Sequence, residues 1–535
     1  MSKAAPVTIY DTTLRDGVQG EHISFTLEDK LDIAARLDGL GFHYIEGGYP
    51  AASPREFEFF KTVSQSTFKH AKITAFGSTC RPGTAPDSDS AVRALLDAGT
   101  QTVTIVGKSS DRHVLEVLKT NKEENLRMIR ETASYLKKKH REVIFDAEHF
   151  FDGFLSNSKY ALASLQAAID GGAEIVILCD TNGGVYYTDV RKALESVASL
   201  NIPFGVHFHN DIGLAAANSL ISLEYGCRQI QGTINGWGER CGNANLCTIL
   251  PNMQFKAKLK ILSPSQMQLL TPTARYISEL ANVIPDERQP FVGHSAFAHK
   301  AGLHADVLMK NSAIMEHMES ALIGNERRVL LSELSGKSTI IQKISRYGKF
   351  SKTSGEVTRI TARLKEMESK GYSYEAAEAS FDLIIRRELH MYKPLFELLH
   401  YEVETFQSGG ESSKTFARLR IMIGNREHAG NATAVGPVDA LDKALRCAAG
   451  ASYPFINAIK LIDYKVRVLN GNEAMEANVR VSIKSSDGEH EWDTVGVSGN
   501  IIEASWHALI DSLEYVFNRC KNPNDQQQRS QMLKN

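Results

Sequence analysis

Between Val7 and Ile234 the sequence alternates eight short β-rich runs with amphipathic, helix-period segments, and this alternation limits the possible folds more than any other feature. The runs are VTIYD (7–11), HYIEGG (43–48), KITAFG (72–77), TVTIVG (102–107), EVIFDAE (142–148), EIVILCD (174–180), FGVHFH (204–209) and RQIQGTI (228–234). Between them lie segments such as LEDKLDIAARLDGLG and YALASLQAAIDGGA, several ending on the glycine that favours a helix C-cap. Eight strand-helix units within residues 1–260 predict an α/β catalytic (β/α)8 TIM barrel. A doubly wound open sheet is the alternative, but it rarely needs eight such similar units.

The rest of the chain changes character. Residues 261–403 read as a helical connector of small subdomains without regular strands. The stretch ETFQSGGESSKTF (404–416) reads as a Gly/Ser-rich linker or loop. Beyond it, NATAVGPVDALDKAL (431–445) and WDTVGVSGNIIEASWHAL (492–509) each run strand, Gly turn, helix. This weak repeat predicts a C-terminal α+β domain of two β-β-α units over 404–520, followed by a polar tail, 521–535, too poor in apolar residues to fold.

Composition excludes several functions. Net charge is −2, with no basic arm or stripe, so nucleic-acid binding has no electrostatic support. No apolar run approaches the ~20 residues that span a bilayer, and the opening residues lack a signal-peptide core, so no membrane partner and a cytoplasmic location are expected. The seven cysteines are scattered without a C-x-x-C pair, which fits reduced thiols, and Cys241 and Cys247 read as packing residues.

Chemistry concentrates at the predicted strand ends. His207 and His209 lie two apart in a strand and so face one direction at the barrel end where active sites are built. Arg15 and Asp16 follow the first strand, Glu46 ends the second, Glu148 the fifth, Asp180 and Thr181 the sixth, and Asn243 lies beyond the eighth. Two neutral imidazoles with one carboxylate, Asp16 being the best placed, form a divalent-metal site acting as a Lewis acid. The same triad also serves non-haem iron oxygenases. SGKST (335–339) lacks the first glycine of a phosphate loop, and GWGERCG is one residue too long for a dinucleotide fingerprint, so its glycines read as close backbone approaches at the mouth.

Seven motifs, DTTLRDGVQ, EGGYPAASP, FDAEHFFDG, CDTNGG, HFHND, NGWGERCGNANL and HKAGLHADVL, together resemble the acyltransferase branch of the metallolyase barrels, the family of the 2-isopropylmalate, homocitrate and citramalate synthases. The resemblance spans nearly the whole chain. Within the branch, IEGGYP, FDAEHFFDG, CDTNGG and LIGNERRVLLSELSGKS are most similar to citramalate synthases of the long type. The resemblance implies condensation of acetyl-CoA with a 2-oxo acid, here pyruvate, followed by thioester hydrolysis. It implies Asp16, His207 and His209 as ligands of a divalent metal (Zn, Mg or Mn), with Asn243 as a further or weaker ligand.

It further implies Arg15 at the developing alkoxide, Thr181 at the substrate carboxylate, and Glu46 among the substrate-binding residues. Glu148 and His304 are the implied acid-base groups, His304 reaching over the partner's barrel in a homodimer. The C-terminal domain is implied to sense an amino acid, with isoleucine the expected effector. Tyr49, Phe76 and Phe145 are bulky enough to close a pocket around the methyl group of pyruvate. One departure stands out: Met315 occupies a position where the family usually carries tyrosine, and a thioether cannot relay a proton. The competing readings are a 2-isopropylmalate synthase taking 2-oxoisovalerate, a lyase of the same superfamily, and a non-catalytic amino-acid sensor on a barrel scaffold.

Overall fold

A computed structural model describes residues 6–299, 314–329, 337–351, 353–374, 377–407, 409, 412–469, 478–488 and 490–519. Strands β1 (Thr8–Asp11), β2 (Tyr44–Gly48), β3 (Lys72–Ser78), β4 (Thr102–Lys108), β5 (Glu142–Glu148), β6 (Ile175–Asp180), β7 (Phe204–Phe208) and β8 (Gln229–Gly232) close into a parallel barrel in chain order. All eight are the strands expected from sequence. The barrel shuts where β1 pairs with β8, Ile9 opposite Ile230.

The intervening helices start and stop as their sequences dictate. Thr26 and Asp29 form a reciprocal capping box before the helix Leu27–Leu40, which ends at Gly41 in the left-handed region. Strand periodicity then sorts the side chains into two layers. Ile9, Ile45, Val103, Val143, Val176 and Val206 point outward and merge with the helices into one large core. Tyr10, Ile144, Ile177 and Cys179 form a separate small cluster on the inward face.

The chain divides into two compact units, Met1–Phe297 with Glu316–Arg327, and Ala298–Met315 with Arg328–Asn535. The barrel unit therefore runs past the boundary expected at residue 260. The helix Leu270–Leu280 sets Leu270, Ala274 and Ile277 into the barrel core. Asn325 Nδ2 donates to the carbonyls of Phe291 and Gly293 at 2.7 and 3.0 Å. The stretch taken as one helical connector is thus shared between the units.

In the second unit, β9 (Ala298–His299) pairs with β10 (Arg328–Val329), a short contact where no strand was expected. Helices Lys337–Ile344, Gly355–Ser369 and Glu378–Glu388 build a small core from Ile344, Val357, Ile360, Phe381 and Ile385. The first of these begins inside SGKST.

Two antiparallel sheets follow, β11 (Glu397–Phe406), β12 (Lys414–Ile423), β13 (Arg426–Ala434) with helix Pro437–Ala449, and β14 (Lys460–Val468), β15 (Val479–Ser486), β16 (Glu491–Ser498) with helix Ile501–Arg519. The repeat is real but holds three strands per unit, not two. The additional strands, β11 and β14, are the largely exposed first strands, and they do alternate, Leu399, Tyr401 and Val403 in one and Ile462, Tyr464, Val466 and Val468 in the other, a period-2 signal that sequence reasoning missed. The repeat extends to packing detail. A Cβ at Gly430 would lie 2.1 Å from the Ala444 carbonyl, and one at Gly496 would lie 2.0 Å from the Ala504 carbonyl, so each third strand carries glycine where a helix backbone crosses it. Because β11 and β12 pair in a hairpin, QSGGESS joins two strands of one sheet, and the boundary expected at 403/404 cuts through β11. Among the described residues, no helix is long and apolar enough to cross a membrane.

Candidate active site

The turn after β1 brings Arg15 and Asp16 to the C-terminal end of the barrel. Thr13 fixes it, its amide and hydroxyl donating to the Asp11 carboxylate at 2.9 and 2.8 Å. Asp16 Oδ2 then lies 3.2 Å from His207 Nε2 and 3.9 Å from His209 Nε2. The two imidazole centroids are 5.3 Å apart. One ligand atom from each of the three buried residues falls within 4.8 Å of the others.

Asn243 joins through the backbone, opposite His209 in an isolated antiparallel bridge. Its Nδ2 donates to the Trp237 carbonyl at 3.1 Å, which leaves Oδ1 uncommitted. A Cβ at Gly238 would sit 2.0 Å from that Nδ2, so glycine there is a close-approach requirement, as read from GWGERCG. Both Asn243 Oδ1 and His209 Nδ1 are buried without a hydrogen-bond partner. A buried unpaired polar atom costs roughly 1–3 kcal/mol, so Asn243 Oδ1, beside the imidazole nitrogens that face Asp16, calls for a ligand to satisfy it. Two nitrogens, a carboxylate and an amide oxygen fit a divalent cation.

The electrostatics agree. Burial works to raise Asp16, but Arg15 and the two histidines outweigh it and hold the carboxyl well below the usual carboxylate range. Burial and the neighbouring His207 depress His209 to about 4, so this imidazole is neutral at physiological pH, the form that binds metal.

Arg15 is fixed from three sides. Its Nε donates to Glu46 Oε2 at 2.6 Å, its Nη1 lies 3.3 Å from Asp16 Oδ2, and its guanidinium carbon sits 4.1 Å over the Phe76 ring. Tyr49 meets Phe76 edge-on at 6.1 Å. Glu46 itself is fully buried, with Oε1 taken by the Tyr10 hydroxyl at 2.6 Å and Oε2 shared by Thr12 and Arg15. Glu46, which the resemblance places among the substrate-binding residues, thus has Oε1 engaged by Tyr10 and Oε2 by Thr12 and Arg15.

On the far side of the mouth, Glu148 ends β5 and pairs with the Lys108 ammonium. The Thr181 hydroxyl oxygen accepts from the His149 amide at 2.9 Å, leaving its own hydrogen free to donate. Asp180 does not join the cluster; its carboxylate accepts from the Val185 amide at 3.1 Å and holds the loop after β6. Phe145 is also corrected. It points outward from β5 into the helix-facing core, fully buried, and lines no substrate wall. Cys247 is buried as expected, whereas Cys241 is exposed, so the expectation of a packing thiol is corrected there. His304 lies outside the described residues. Sequence reasoning missed Asp146, pushed up to about 7 by burial and by the Glu46 charge, and Gln231, whose Oε1 lies 2.9 Å from His207 Nδ1. The alternation of Gln229 and Gln231 in RQIQGTI, two polar residues on the inward face of a barrel strand, was the available signal.

Three family models cover the chain in order. The HMGL-like model matches residues 6–277, the homocitrate synthase post-HMGL domain-like model residues 291–372, and the LeuA allosteric (dimerisation) domain model residues 375–517. The chain is 47% identical to the (R)-citramalate synthase of Aquifex aeolicus, over 96% of this chain and 98% of the relative. It is 45% identical to that of a Synechocystis species, over 96% of each chain. The probable 2-isopropylmalate synthase of Methanopyrus kandleri is more distant, at 30% identity over 96% of this chain and 99% of its own. With an HMGL-like barrel, the two following domains in family order, and five (R)-citramalate synthases at 40–47% identity along nearly its full length, the chain belongs to the (R)-citramalate synthase family.

Proposed function

We propose that the barrel condenses acetyl-CoA with pyruvate and hydrolyses the resulting thioester, releasing citramalate and CoA. The observation that carries this reading is the buried Asp16–His207–His209–Asn243 cluster, with Asn243 Oδ1 uncommitted, directly beside a fixed Arg15. A divalent ion (Zn, Mg or Mn) held by these four residues would supply Lewis acidity to the keto group.

The protein's own groups do the rest. Arg15, clamped by Glu46 and backed by Phe76, offers its guanidinium to the negative charge that develops on the keto oxygen. Thr181 donates its free hydroxyl hydrogen to the pyruvate carboxylate. Glu148 is the acid-base group on this chain that handles the proton of the acetyl methyl, and His304 is its counterpart by family resemblance. The new bond joins that methyl carbon to the keto carbon. Water then cleaves the carbon–sulfur bond, and the thiol leaves as CoA. Phe76 and Tyr49, packed together beside Arg15, limit the room for the 2-oxo acid's side chain and favour a methyl group. The C-terminal sheets serve a homodimer and bind isoleucine as inhibitor, a reading supported by their match to an allosteric and dimerisation domain.

A free-thiol assay of CoA release, run with acetyl-CoA against pyruvate, 2-oxobutyrate and 2-oxoisovalerate, tests the reaction and the substrate together. We expect kcat/KM for pyruvate to exceed that for 2-oxoisovalerate by at least about tenfold, since two additional methyl groups must be rejected. Preference for 2-oxoisovalerate would make the enzyme a 2-isopropylmalate synthase. Inhibition by isoleucine, and not by leucine or valine, is expected in the same assay.

A further inference from the structure

The barrel interior beneath the metal-binding cluster contains a line of hydrogen bonds that the reaction does not use. Gln231, fully buried on β8, has Oε1 2.9 Å from His207 Nδ1. Its Nε2 lies 3.3 Å from Asp146 Oδ1 and 3.4 Å from Gln229 Oε1. Gln229 in turn directs its own Nε2 to the Thr8 hydroxyl at 3.3 Å. β5 and β8 are not neighbours in the barrel, so the Asp146–Gln231 bond crosses the interior and braces the amide from the opposite wall.

The direction of every bond in this line follows from donor chemistry. An amide nitrogen only donates, and both groups facing Gln231 Nε2 present oxygen atoms. The amide carbonyl must therefore face His207, and a carbonyl only accepts. His207 Nδ1 carries the hydrogen, and the lone pair of the neutral ring sits on Nε2, the nitrogen 3.2 Å from Asp16. His209 has no such support, its Nδ1 being buried and unpartnered. The His207 ring is thus oriented with Nε2 toward the cluster by a partner on its other nitrogen, whereas His209 has no such partner.

We propose that Gln231, braced by Asp146, is a positioning residue that fixes the tautomer and ring orientation of His207 for metal binding. This rests on the metal site proposed above. Outer-shell partners of ligating histidines typically contribute about 10–100-fold to metal affinity. A glutamine that merely fills space in the core would contribute nothing to it.

The test is Mn²⁺ binding to the metal-free full-length protein, followed by calorimetry and by loss of the free-ion paramagnetic signal. Gln231→Met keeps the volume and removes all three of its side-chain hydrogen bonds. We expect the Mn²⁺ dissociation constant of the folded variant to rise by about 10–100-fold, and its metal-free melting temperature to fall because His207, Asp146 and Gln229 each lose a buried partner. Asp146→Leu leaves Gln231 in place but unbraced, and a several-fold rise is expected; this variant decides the matter if Gln231→Met does not fold. In the double variant the Asp146 change should add little, since the bond it supports is already gone. If wild type binds no Mn²⁺, the metal site itself fails. If wild type binds and the folded variants bind equally well, Gln231 is packing only and the proposal is overturned.

Discussion

The barrel mouth and the C-terminal sheets break the rule of burial in opposite directions. At the mouth the chain buries charge, with Glu46 at 0% and Asp16 at 2% exposure and two polar atoms nearby left without partners. On β11 and β14 it exposes apolar side chains, Leu399 at 40%, Phe406 at 51%, Ile462 at 47% and Val468 at 57%. Each is unfavourable for the isolated chain. Buried polar atoms without partners point to a small polar ligand, and exposed apolar rows on strands point to another protein surface. The two regions are therefore complementary signs of function, one chemical and one associative, and changes in each should have separable effects.

The largest expected effect is at the mouth. His207→Ala removes one proposed ligand and Asp16→Asn removes the only negative charge among them, so metal binding and CoA release should fall by more than the ~100-fold ceiling typical of outer-shell partners, while assembly is unchanged. Full activity of either variant in chelator-treated buffer would sink the assignment. Glu148→Gln keeps shape and hydrogen bonding but cannot titrate; we expect turnover to fall by about 10²–10⁴-fold with KM for pyruvate roughly kept. Unchanged turnover would move the proton chemistry off this residue.

The converse experiment is on the sheets. Leu399→Asp with Ile462→Asp places unpaired charges in an apolar contact, each costing on the order of 1–3 kcal/mol, so sedimentation should show dimer dissociation strengthened at least about tenfold. Mn²⁺ affinity of the barrel should stay at the wild-type value. Variants that dimerise normally would show that these apolar rows serve something other than self-association.

The smallest effect is on stability. Burial pushes both Asp11 and Asp146 up to about 7 from an ordinary value of 3.8, so the folded barrel prefers them protonated. Their contribution is fully present below the unfolded value and is lost as pH rises through about 7. The melting temperature of the metal-free protein should therefore fall between pH 4 and pH 8 on their account. Asp146→Asn, neutral throughout, should recover roughly a few degrees at the upper end. An identical slope in the variant would show that Asp146 is not held protonated.

Several particulars were legible in advance because their signals are local. The eight barrel strands, the shared facing of His207 and His209, and the glycines of GWGERCG each follow from spacing along a few residues. The outward face of Phe145 was equally available, since with Asp146 and Glu148 on the inward face the alternate residues Phe145 and Ala147 must point outward, yet it was not drawn from the strand's own periodicity. β11 and β14 were legible too, since Leu399, Tyr401 and Val403 and then Ile462, Tyr464, Val466 and Val468 alternate with polar residues, yet that periodicity was not drawn on.

The sequence by itself determined the elements, their order, and the kinds of donor at each strand end, because helix and strand periods act over a turn or a pleat. Only closure of the barrel decided which donors meet. It set Asp16 against His207 across 191 residues of chain, brought Glu46 to Arg15 as its clamp, and joined Gln231 to Asp146 across 85 residues. No local pattern encodes those meetings, since they depend on strand register, on tilt around the barrel, and on the exclusion of water that makes each unpaired donor or acceptor expensive.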